Sequence, residues 1–466
     1  MVESSSLDTP SSSNKCCIYR IPTCLHKLNE EAYTPHVISI GHFHHGSKRL
    51  EPMEKLKLKY FKRFLKRIGF NVEILVNDIK LHEERVHDCY AESIELSSDH
   101  FVKLILVDGS FLIEFFYGWS QALQNSILED RLLQYPISLE TIMLDLPLLE
   151  NQLPFLILEI LFRHACVPNW EYPSFTSLAI DMFEKIDDHK LHQNLEAYEI
   201  RHFTDLARAF FLPSSRKLQP HVSNPTSANQ LDTISQLYEA RVNFMASSCK
   251  CLLDLTRHLA GLARAFFVAS SRNMTTHGRN PACADHLYTA SQLDKTGVKF
   301  KVSSSKCFLD LKFTNGTFEI PCMDLSNSTE TTYRNIIAFE QCHNPFNSHF
   351  TNYIVLLTFL ITTPKDVDFL MRKGIIINGL GSSNAVASFL NNLGTNVPYY
   401  GVPSIYRDLF EDLNAFYENP KHIWKAALKR DYFSTPWRIA STVATGILLL
   451  LTLEQFICSI IQVVKK

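Results

Sequence analysis

The sequence predicts a mainly α-helical α+β protein with a small β-hairpin portion and a single C-terminal transmembrane helix. Apolar side chains recur at helical spacing along most of the chain, and an Asn-Gly pair near residue 315 separates two alternating runs. The last apolar run, 439–464, is about long enough to cross a bilayer core of roughly 30 Å. With 466 residues and a formal net charge of -2, the chain can bury a large core and lacks the overall charge of a nucleic-acid-binding protein.

Residues 50–68 predict a basic amphipathic helix. Met53, Tyr60 and Phe64 recur close to helical spacing, and lysines and arginines lie mostly around the other side. Two interpretations are open: a face held against anionic lipid headgroups, or a solvated face whose lysines pair with nearby acidic residues. The second is favoured. Helical periodicity then continues through 72–94 and 101–117.

An internal duplication follows. Residues 201–255 and 257–311 align without a gap at an offset of 56, and direct comparison of the two stretches finds 29 identical positions among 55. The second copy continues into a hairpin pattern around Asn315-Gly316, a pair that supplies the positive φ angles of a type I′ turn. The first copy has no such partner strand, whereas its opening helix continues naturally from the helical stretch 188–200. We therefore predict that about 212–267 is an insertion extruded from the body.

The segment 144–164 is the most hydrophobic part of the chain before the C-terminal run, and Pro147 and Pro154 prevent it from being a continuous span. Asn151 or Gln152 is predicted to cap a helix with Pro154 in its first turn. Glu150, Asn151 and Gln152 form a polar cluster among apolar neighbours, and buried polar groups need partners. A structural hydrogen-bond network is favoured there over a catalytic carboxylate.

Other candidate motifs are weak. Five histidines near the N-terminus, at 26, 36, 42, 44 and 45, lack metal-ligand spacing. Cys342 and His343 are adjacent, so on a helix their side chains point about 100° apart, which disfavours a nucleophile and base. The segment GLGSSN at 379–384 is neither a dinucleotide motif nor a P-loop and predicts a helix entry capped by a serine. Twelve cysteines without CxxC spacing predict no disulfide framework. We predict no catalytic, cofactor-binding or metal-binding residues, and no cofactor.

The two ends of the chain predict its topology. Residues 1–15 lack the apolar core of a signal peptide and predict a disordered tail, followed by a helical globular domain over 16–430. The span 439–464 is then predicted to anchor the chain in membrane lipid, at the plasma membrane or an endomembrane. Basic residues flank it on the N-terminal side, which favours a cytosolic body. Two alternatives remain: an extracytoplasmic body, which would expose three glycosylation sequons, and a buried C-terminal helix of a soluble domain.

Ordered sequence blocks carry a resemblance to a known family. They are CIYRIPTCLHKLNEEAYTPHVISIGHFHHGSKRLEPMEKLKLKYFKRFL, LDLPLLENQLPFLILEILF, GVKFKVSSSKCFLDLKFTNGTFEIPCMDLSNSTETTYRNIIAFEQCH and the terminal span. From Cys17 to Val464 the chain resembles the plant family known as domain of unknown function 247, with the duplicated 56 residues as the main departure and His42, where the family usually has proline, as a smaller one. The resemblance implies plant origin, a largely helical body and a C-terminal membrane anchor. It implies no established biochemical activity, although similar members are tied to self-incompatibility recognition in grasses.

Two classes of function fit the sequence. The favoured one is a membrane-anchored protein that recognises a protein partner of unknown identity and does not act as an enzyme or bind nucleic acid. The alternative is an unrecognised hydrolase with a polar site around Glu150–Gln152, which would need a histidine and a serine or cysteine to converge on that site.

Overall fold

The computed structural model describes residues 15–69, 72–125, 132, 136–165, 172–186, 195, 198–212, 287–305, 307–397 and 404–464. Most of this part of the chain is helical. The α-helices are α1 (Thr23–His26), α2 (Glu51–Arg67), α3 (Val72–His87), α4 (Ser98–Asn125), α5 (Pro136–Asp145), α6 (Phe155–His164), α7 (Phe175–Ile186), α8 (Phe203–Ala209), α9 (Ala290–Lys295), α10 (Asn327–His343), α11 (His349–Leu360), α12 (Pro364–Arg372), α13 (Ser383–Leu393), α14 (Arg407–Glu418), α15 (Pro420–Tyr432) and α16 (Pro436–Val464). The fold class is therefore mainly helical, as the sequence predicts.

Five short strands form two small sheets in the described residues. They are β1 (Lys299–Val302), β2 (Lys312–Thr314), β3 (Thr317–Ile320), β4 (Met323–Leu325) and β5 (Ile376–Asn378). Strands β2 and β3 pair antiparallel, β1 pairs parallel with β3, and β4 pairs parallel with β5.

The hairpin prediction is confirmed in its details. Thr314 lies opposite Thr317, so Asn315 and Gly316 form a two-residue turn. Both have positive φ, 51° and 73°, as a type I′ turn requires.

Two large hydrophobic clusters fill the body. The first unites α2, α3, α4, α6, α7 and α8 around aromatic side chains such as Phe116, Phe155 and Phe203. The second lies among the sheets and α9 to α14. A carboxylate enters each cluster from one helix and accepts backbone N–H groups at the start of the next: Glu159 of α6 caps α7, and Glu340 of α10 caps α11. The same kind of carboxylate cap therefore joins a pair of helices in each hydrophobic cluster.

Three boundary predictions are wrong. Helix α3 ends at His87 and does not continue to residue 94. Helix α8 begins after His202, whose ring accepts a hydrogen bond from the Asp205 amide, so the helix does not continue from residue 200. Pro154 occupies the N-cap position of α6 without a side-chain cap, because Asn151 and Gln152 bind other partners. The earlier part of 188–200 lies outside the described residues.

The basic face of α2 is partly paired, in agreement with the second interpretation of that helix. Lys55 pairs with Glu51 at 2.9 Å, and the guanidinium of Arg67 forms two hydrogen bonds with Glu114. Lys57 differs from the expectation because its side chain is fully buried.

Most of the predicted insertion, and residues 1–14 of the tail predicted at 1–15, lie outside the described residues. The described part of the first repeat copy ends at Leu212, and that of the second begins at Leu287. Both leucines are buried in the second hydrophobic cluster. The body thus uses the start of the first copy and the end of the second. This is the arrangement that the insertion hypothesis requires, but the hypothesis itself stays a prediction.

Candidate functional site

The polar cluster at Glu150–Gln152 lies in the loop between α5 and α6. Asn151 is completely buried there. Its Oδ1 accepts a hydrogen bond from the Ile40 amide at 2.6 Å, and its Nδ2 donates to the Ile38 carbonyl at 3.0 Å. The carboxamide therefore pairs with an extended backbone in the way that a neighbouring strand would.

Gln152 joins the same loop to two other parts of the body. Its Nε2 donates to the carbonyl oxygens of Leu146 and Leu148. Its Oε1 accepts from the Phe203 amide at 2.8 Å, at the start of α8. The backbone carbonyl of Gln152 accepts from the Tyr90 hydroxyl at 2.9 Å. Each of these contacts satisfies a polar group that would otherwise be buried alone.

Glu150 is the carboxylate that a hydrolase at this site would use. Its Oε1 accepts a hydrogen bond from the Ile21 amide at 2.7 Å, while its Oε2 lies 3.7 Å from Nε2 of His44 and 4.0 Å from Nη1 of Arg20. Burial raises the pKa of Glu150, and the Ile21 amide and Arg20 act against that rise. Burial and the nearby Arg20 lower the pKa of His44 to about 4.

The His44 imidazole beside Glu150 is therefore neutral at neutral pH. A nucleophile is activated when a base lies within hydrogen-bond reach, about 2.6–3.2 Å. In the described residues, Nε2 of His44 faces Glu150 without a hydrogen bond, and no hydrogen bond joins the His44 ring to a serine or cysteine. Glu150 instead accepts the Ile21 amide and so holds the backbone at residue 21, which is a structural role.

Further side chains bind the same N-terminal backbone. The carboxylate of Asp145 accepts the amides of His36, Val37 and Ile38 at 2.7, 2.7 and 2.9 Å. Burial raises the pKa of Asp145, and these three amides act against the rise.

Two buried side chains from α2 and α4 complete this set. Asp108 accepts the Gly41 amide at 2.9 Å, and Lys57 donates to the Ser39 carbonyl at 2.7 Å while it also contacts Asp108. We call these five side chains the N-terminal clamp: Lys57, Asp108, Asp145, Glu150 and Asn151.

The N-terminal clamp explains why this polar cluster exists. The backbone of 34–41 forms no regular secondary structure, yet much of it is buried, so its amides and carbonyls need side-chain partners. Sequence reasoning found Glu150, Asn151 and Gln152 but assigned Lys57 to a solvated face and overlooked Asp108. The missing members carry no local signal in the sequence, because the burial of residues 34–41 arises only in the folded chain.

The five N-terminal histidines do not converge. His36 lies 3.3 Å from Asp145, His26 stacks on Tyr33, and His42 packs against the rings of Phe43 and Tyr90. Burial, assisted by Arg20, lowers the pKa of His42 to about 4. Across the described ranges, no group of three or more potential ligands could hold a metal ion.

Cys342 and His343 also have separate surroundings. The His343 ring accepts a hydrogen bond from Nη1 of Arg201 at Nε2, 2.8 Å away, and its Nδ1 lies 2.9 Å from the Tyr19 hydroxyl. Both ring nitrogens are thus occupied. Burial lowers the pKa of His343 to about 4 and raises the pKa of the Cys342 thiol to about 11, so this thiol is not activated as a nucleophile.

The remaining predicted motif is structural. Ser382 accepts a hydrogen bond from the Ala385 amide at 3.1 Å and caps α13, as the helix-entry prediction expected. A mostly apolar cavity of about 550 Å³ lies between α5, α7, α8 and α10, lined by side chains such as Met143, Phe183 and Phe211. Glu150–Gln152 do not line it.

The C-terminal helix contrasts with these buried groups. Residues Pro436–Ser459 form 24 residues of helix, within which an 18-residue stretch has a mean hydropathy of 1.6 and no buried residue. At 1.5 Å per residue its length is about 36 Å, enough for a bilayer core of roughly 30 Å. The helix begins three residues before the predicted start at Ile439. By length and composition it can cross a membrane.

Comparison with known proteins places the chain in a family. A family model described as a plant protein of unknown function, DUF247, matches residues 18–257 and 255–451, so the second match begins inside the duplicated region. The UPF0481 protein At3g47200 of Arabidopsis thaliana is 26% identical over 462 residues, covering 96% of this chain and 87% of the relative. The putative UPF0481 protein At3g02645 of the same plant is 24% identical over 480 residues, covering 93% and 88%. No solved structure matches. Because the family model covers most of its length, the chain belongs to the plant DUF247 family.

Proposed function

We propose that this protein is a single-pass membrane protein, anchored by its C-terminal helix, whose body recognises a protein partner and does not perform catalysis. The observation that carries the proposal is the exposure of α16. Its apolar side chains, such as Ile447, Leu449 and Leu450, lie on the surface. A contiguous apolar surface of this length is unfavourable in water and typical of a membrane contact.

An energy comparison supports insertion despite Glu454. Leucine, isoleucine, valine and phenylalanine at the centre of a span each contribute about -0.3 to -0.6 kcal/mol, and one acidic residue costs about 3 kcal/mol. Ten such apolar residues lie between Ile439 and Ser459. Their sum, about -3 to -6 kcal/mol, offsets the cost of Glu454.

A cytosolic body is supported by the charges around the span. Lys421, Lys425, Arg430 and Arg438 precede it, against the two terminal lysines after it, and basic flanks prefer the cytosolic side. Glycosidase sensitivity of the expressed chain tests this orientation. Asn315 lies exposed in the hairpin turn within a sequon, so an extracytoplasmic body would carry a glycan there and shift in mobility after treatment.

Recognition is supported over catalysis by the use of the polar residues. The clamp side chains bind the backbone of their own chain, and both ring nitrogens of His343 are engaged. The distance of 3.7 Å between Glu150 and His44 is the observation that keeps the hydrolase alternative open.

One capture experiment distinguishes the two functions. The full chain and a Glu150→Gln variant are purified from microsomes in mild detergent with their partners, and a chain that ends at Thr435 is purified from the soluble fraction of the same cells. Recognition predicts the same partner in all three samples. A hydrolase instead predicts that Glu150→Gln traps a substrate that the natural chain releases.

A further inference from the structure

Helix α15, which precedes the apolar span, carries an apolar stripe and basic residues on one side. Trp424, Leu428 and Tyr432 follow one another at intervals of four residues and therefore share a face. Leu428 and Tyr432 are 52% and 54% exposed. Lys421 and Lys425 lie next to this stripe and are exposed as well.

The opposite side of α15 packs on the body. The ring of His422 stacks on Phe416 with centroids 3.9 Å apart. Ala426 lies so close to Gly297 that a Cβ on the glycine would be 3.3 Å from the alanine methyl. The rotation of α15 is therefore fixed, and Leu428 and Tyr432 lie on its exposed side.

The connection to α16 limits how far α15 can lie from a membrane. Four Cα steps join Tyr432 to Pro436, and they span at most about 14 Å. The headgroup region is roughly 5–7 Å thick on each side of the hydrocarbon core. Phe433 and Trp437 are exposed at this connection, and aromatic residues favour the headgroup level.

We propose that α15 lies in the headgroup region of an anionic leaflet, with Leu428 and Tyr432 toward the acyl chains and Lys421 and Lys425 on lipid phosphates. The inference rests on the proposed membrane anchoring by α16. Charge selects the occupant, because an apolar stripe flanked by lysines is complementary to a bilayer that contains an anionic lipid such as phosphatidylserine.

Quenching by brominated lipid tests the proposal on the full chain. The protein is reconstituted in nanodiscs of brominated phosphatidylcholine, with or without phosphatidylserine, and the signal of Trp424 is taken as the difference from a Trp424→Phe variant. We expect Trp424 emission to fall at least twofold in the anionic discs. The double variant Lys421→Glu/Lys425→Glu should restore most of that emission.

The matched control reverses two exposed lysines on the other basic helix, Lys62→Glu/Lys66→Glu in α2, and should leave the quenching unchanged. Unquenched Trp424 in anionic discs, with the chain still resistant to carbonate extraction, would overturn this inference and leave the anchoring intact. Release of the full chain by carbonate would overturn both.

A second inference rests on two buried cysteines that meet where the N-terminal segment joins the end of α3. The amides of Cys17 and Ile18 both donate to the Cys89 carbonyl at 2.9 Å, and Ile18 forms a parallel bridge with Tyr90. Cys17 thus lies opposite Cys89 at about the 4.8 Å spacing of neighbouring strands, within the 4.4–6.8 Å that a disulfide spans. The Cys89 thiol donates to the Arg85 carbonyl at 3.3 Å.

We infer that Cys17 and Cys89 form a disulfide when a hydroperoxide oxidises them. Hydrogen peroxide converts the Cys89 thiol, which is 8% exposed against 1% for Cys17, to a sulfenic acid and releases one water. The contact with Cys89 and burial raise the pKa of the Cys17 thiol, so its proton passes to the departing oxygen as its sulfur attacks the Cys89 sulfur. The S–O bond breaks and a second water leaves. Two thiols and one peroxide thus give one disulfide and two waters, and the N-terminal segment becomes covalently linked to α3.

Peptide mapping under non-reducing conditions tests this pair. The full chain is treated with hydrogen peroxide, its remaining thiols are alkylated, and the peptides are identified by mass. We expect a Cys17–Cys89 peptide that disappears in Cys17→Ser and persists in Cys16→Ser, the neighbouring half-exposed cysteine. A Cys16–Cys89 peptide, or free Cys89 after the exposed Cys24 is fully oxidised, would overturn the inference.

Discussion

The N-terminal clamp and the C-terminal helices deviate from the ordinary distribution of residues in opposite directions. The clamp puts carboxylates, a carboxamide and a lysine in the interior, whereas α16 puts leucines and isoleucines on the surface. Each deviation costs free energy in water unless a partner offsets it. The clamp side chains bind the backbone of residues 21–41 of the same chain. We therefore infer that the clamp stabilises the fold. None of the described residues buries α16, and under the proposed function its partner is a membrane.

The largest expected effect comes from removing a clamp carboxylate. Asp145→Ala leaves the amides of His36, Val37 and Ile38 without their acceptor, and each unsatisfied buried amide costs about 1–3 kcal/mol. We expect the free energy of unfolding in detergent to fall by about 4 kcal/mol or more. Denaturant titration of the body checks this value.

The control for that substitution is Asp99→Ala, which removes an exposed carboxylate paired with Lys80 at 2.8 Å. A surface pair contributes about 0–1 kcal/mol, so little should change. Equal losses in the two variants would show that the clamp does not hold the N-terminal segment.

Acidification should weaken the body through His202, which is buried with a pKa lowered by burial to about 4. In the unfolded chain His202 binds a proton near pH 6.5, whereas in the folded chain it binds one only near pH 4. The stability is therefore complete above pH 6.5 and is lost as the pH falls toward 4, by roughly 3 kcal/mol for this residue.

Two variants at His202 isolate the contribution of this residue to the pH dependence of stability. His202→Asn keeps a side-chain acceptor at the N-cap of α8 but does not titrate, so its stability should depend less on pH between 6.5 and 4. His202→Ala loses the cap and the titration together. If the natural chain and His202→Asn respond equally to pH, then His202 does not carry the effect.

Two glycines with the same φ angle test how closely the clamp holds the chain. Gly41 and Gly46 both have φ of 78°, but a Cβ on Gly41 would lie 2.4 Å from the Gln152 carbonyl oxygen, and one on Gly46 would meet nothing within 4 Å. Gly41→Ala should therefore cost about 2 kcal/mol more than Gly46→Ala, since both pay the same backbone strain of about 1 kcal/mol. Thermal unfolding of the two variants measures the difference, and equal melting temperatures would contradict the close approach.

The smallest expected effect belongs to the duplicated segment. Deleting 212–267 joins Phe211 to Val268 and leaves one repeat copy, and shortening a loop changes its closure entropy only slightly. We expect the stability to change by less than about 1 kcal/mol. Deleting 287–320 instead removes β1 to β3 and should prevent folding. Loss of folding after the first deletion would refute the insertion hypothesis.

Local patterns predicted local structure well. Asn315-Gly316 specified its turn, helical spacing located α2 and α4, and Ser382 indicated the start of α13. The boundaries that failed depend on contacts between distant residues. Asn151 has the properties of a helix cap, but the backbone at Ile38 and Ile40 competes for its carboxamide.

Lys57 and Asp108 show the same limit for the candidate site. The pattern of α2 assigns Lys57 to a polar face, whereas Asp108 interrupts a largely apolar stretch of α4. The path of residues 39–41 between the two helices gives both side chains their buried partners. The polar cluster was thus detectable from composition, whereas its partners depend on tertiary structure. The exposure of α16 needed no such partner, which is why the sequence predicted it directly.

Alkaline carbonate extraction of microsomes tests the central claim most directly. The full chain should remain in the membrane pellet, and a chain ending at Thr435 should appear in the supernatant after the same wash. Quantitative release of the full chain would contradict the account, because α16 would then not cross the bilayer.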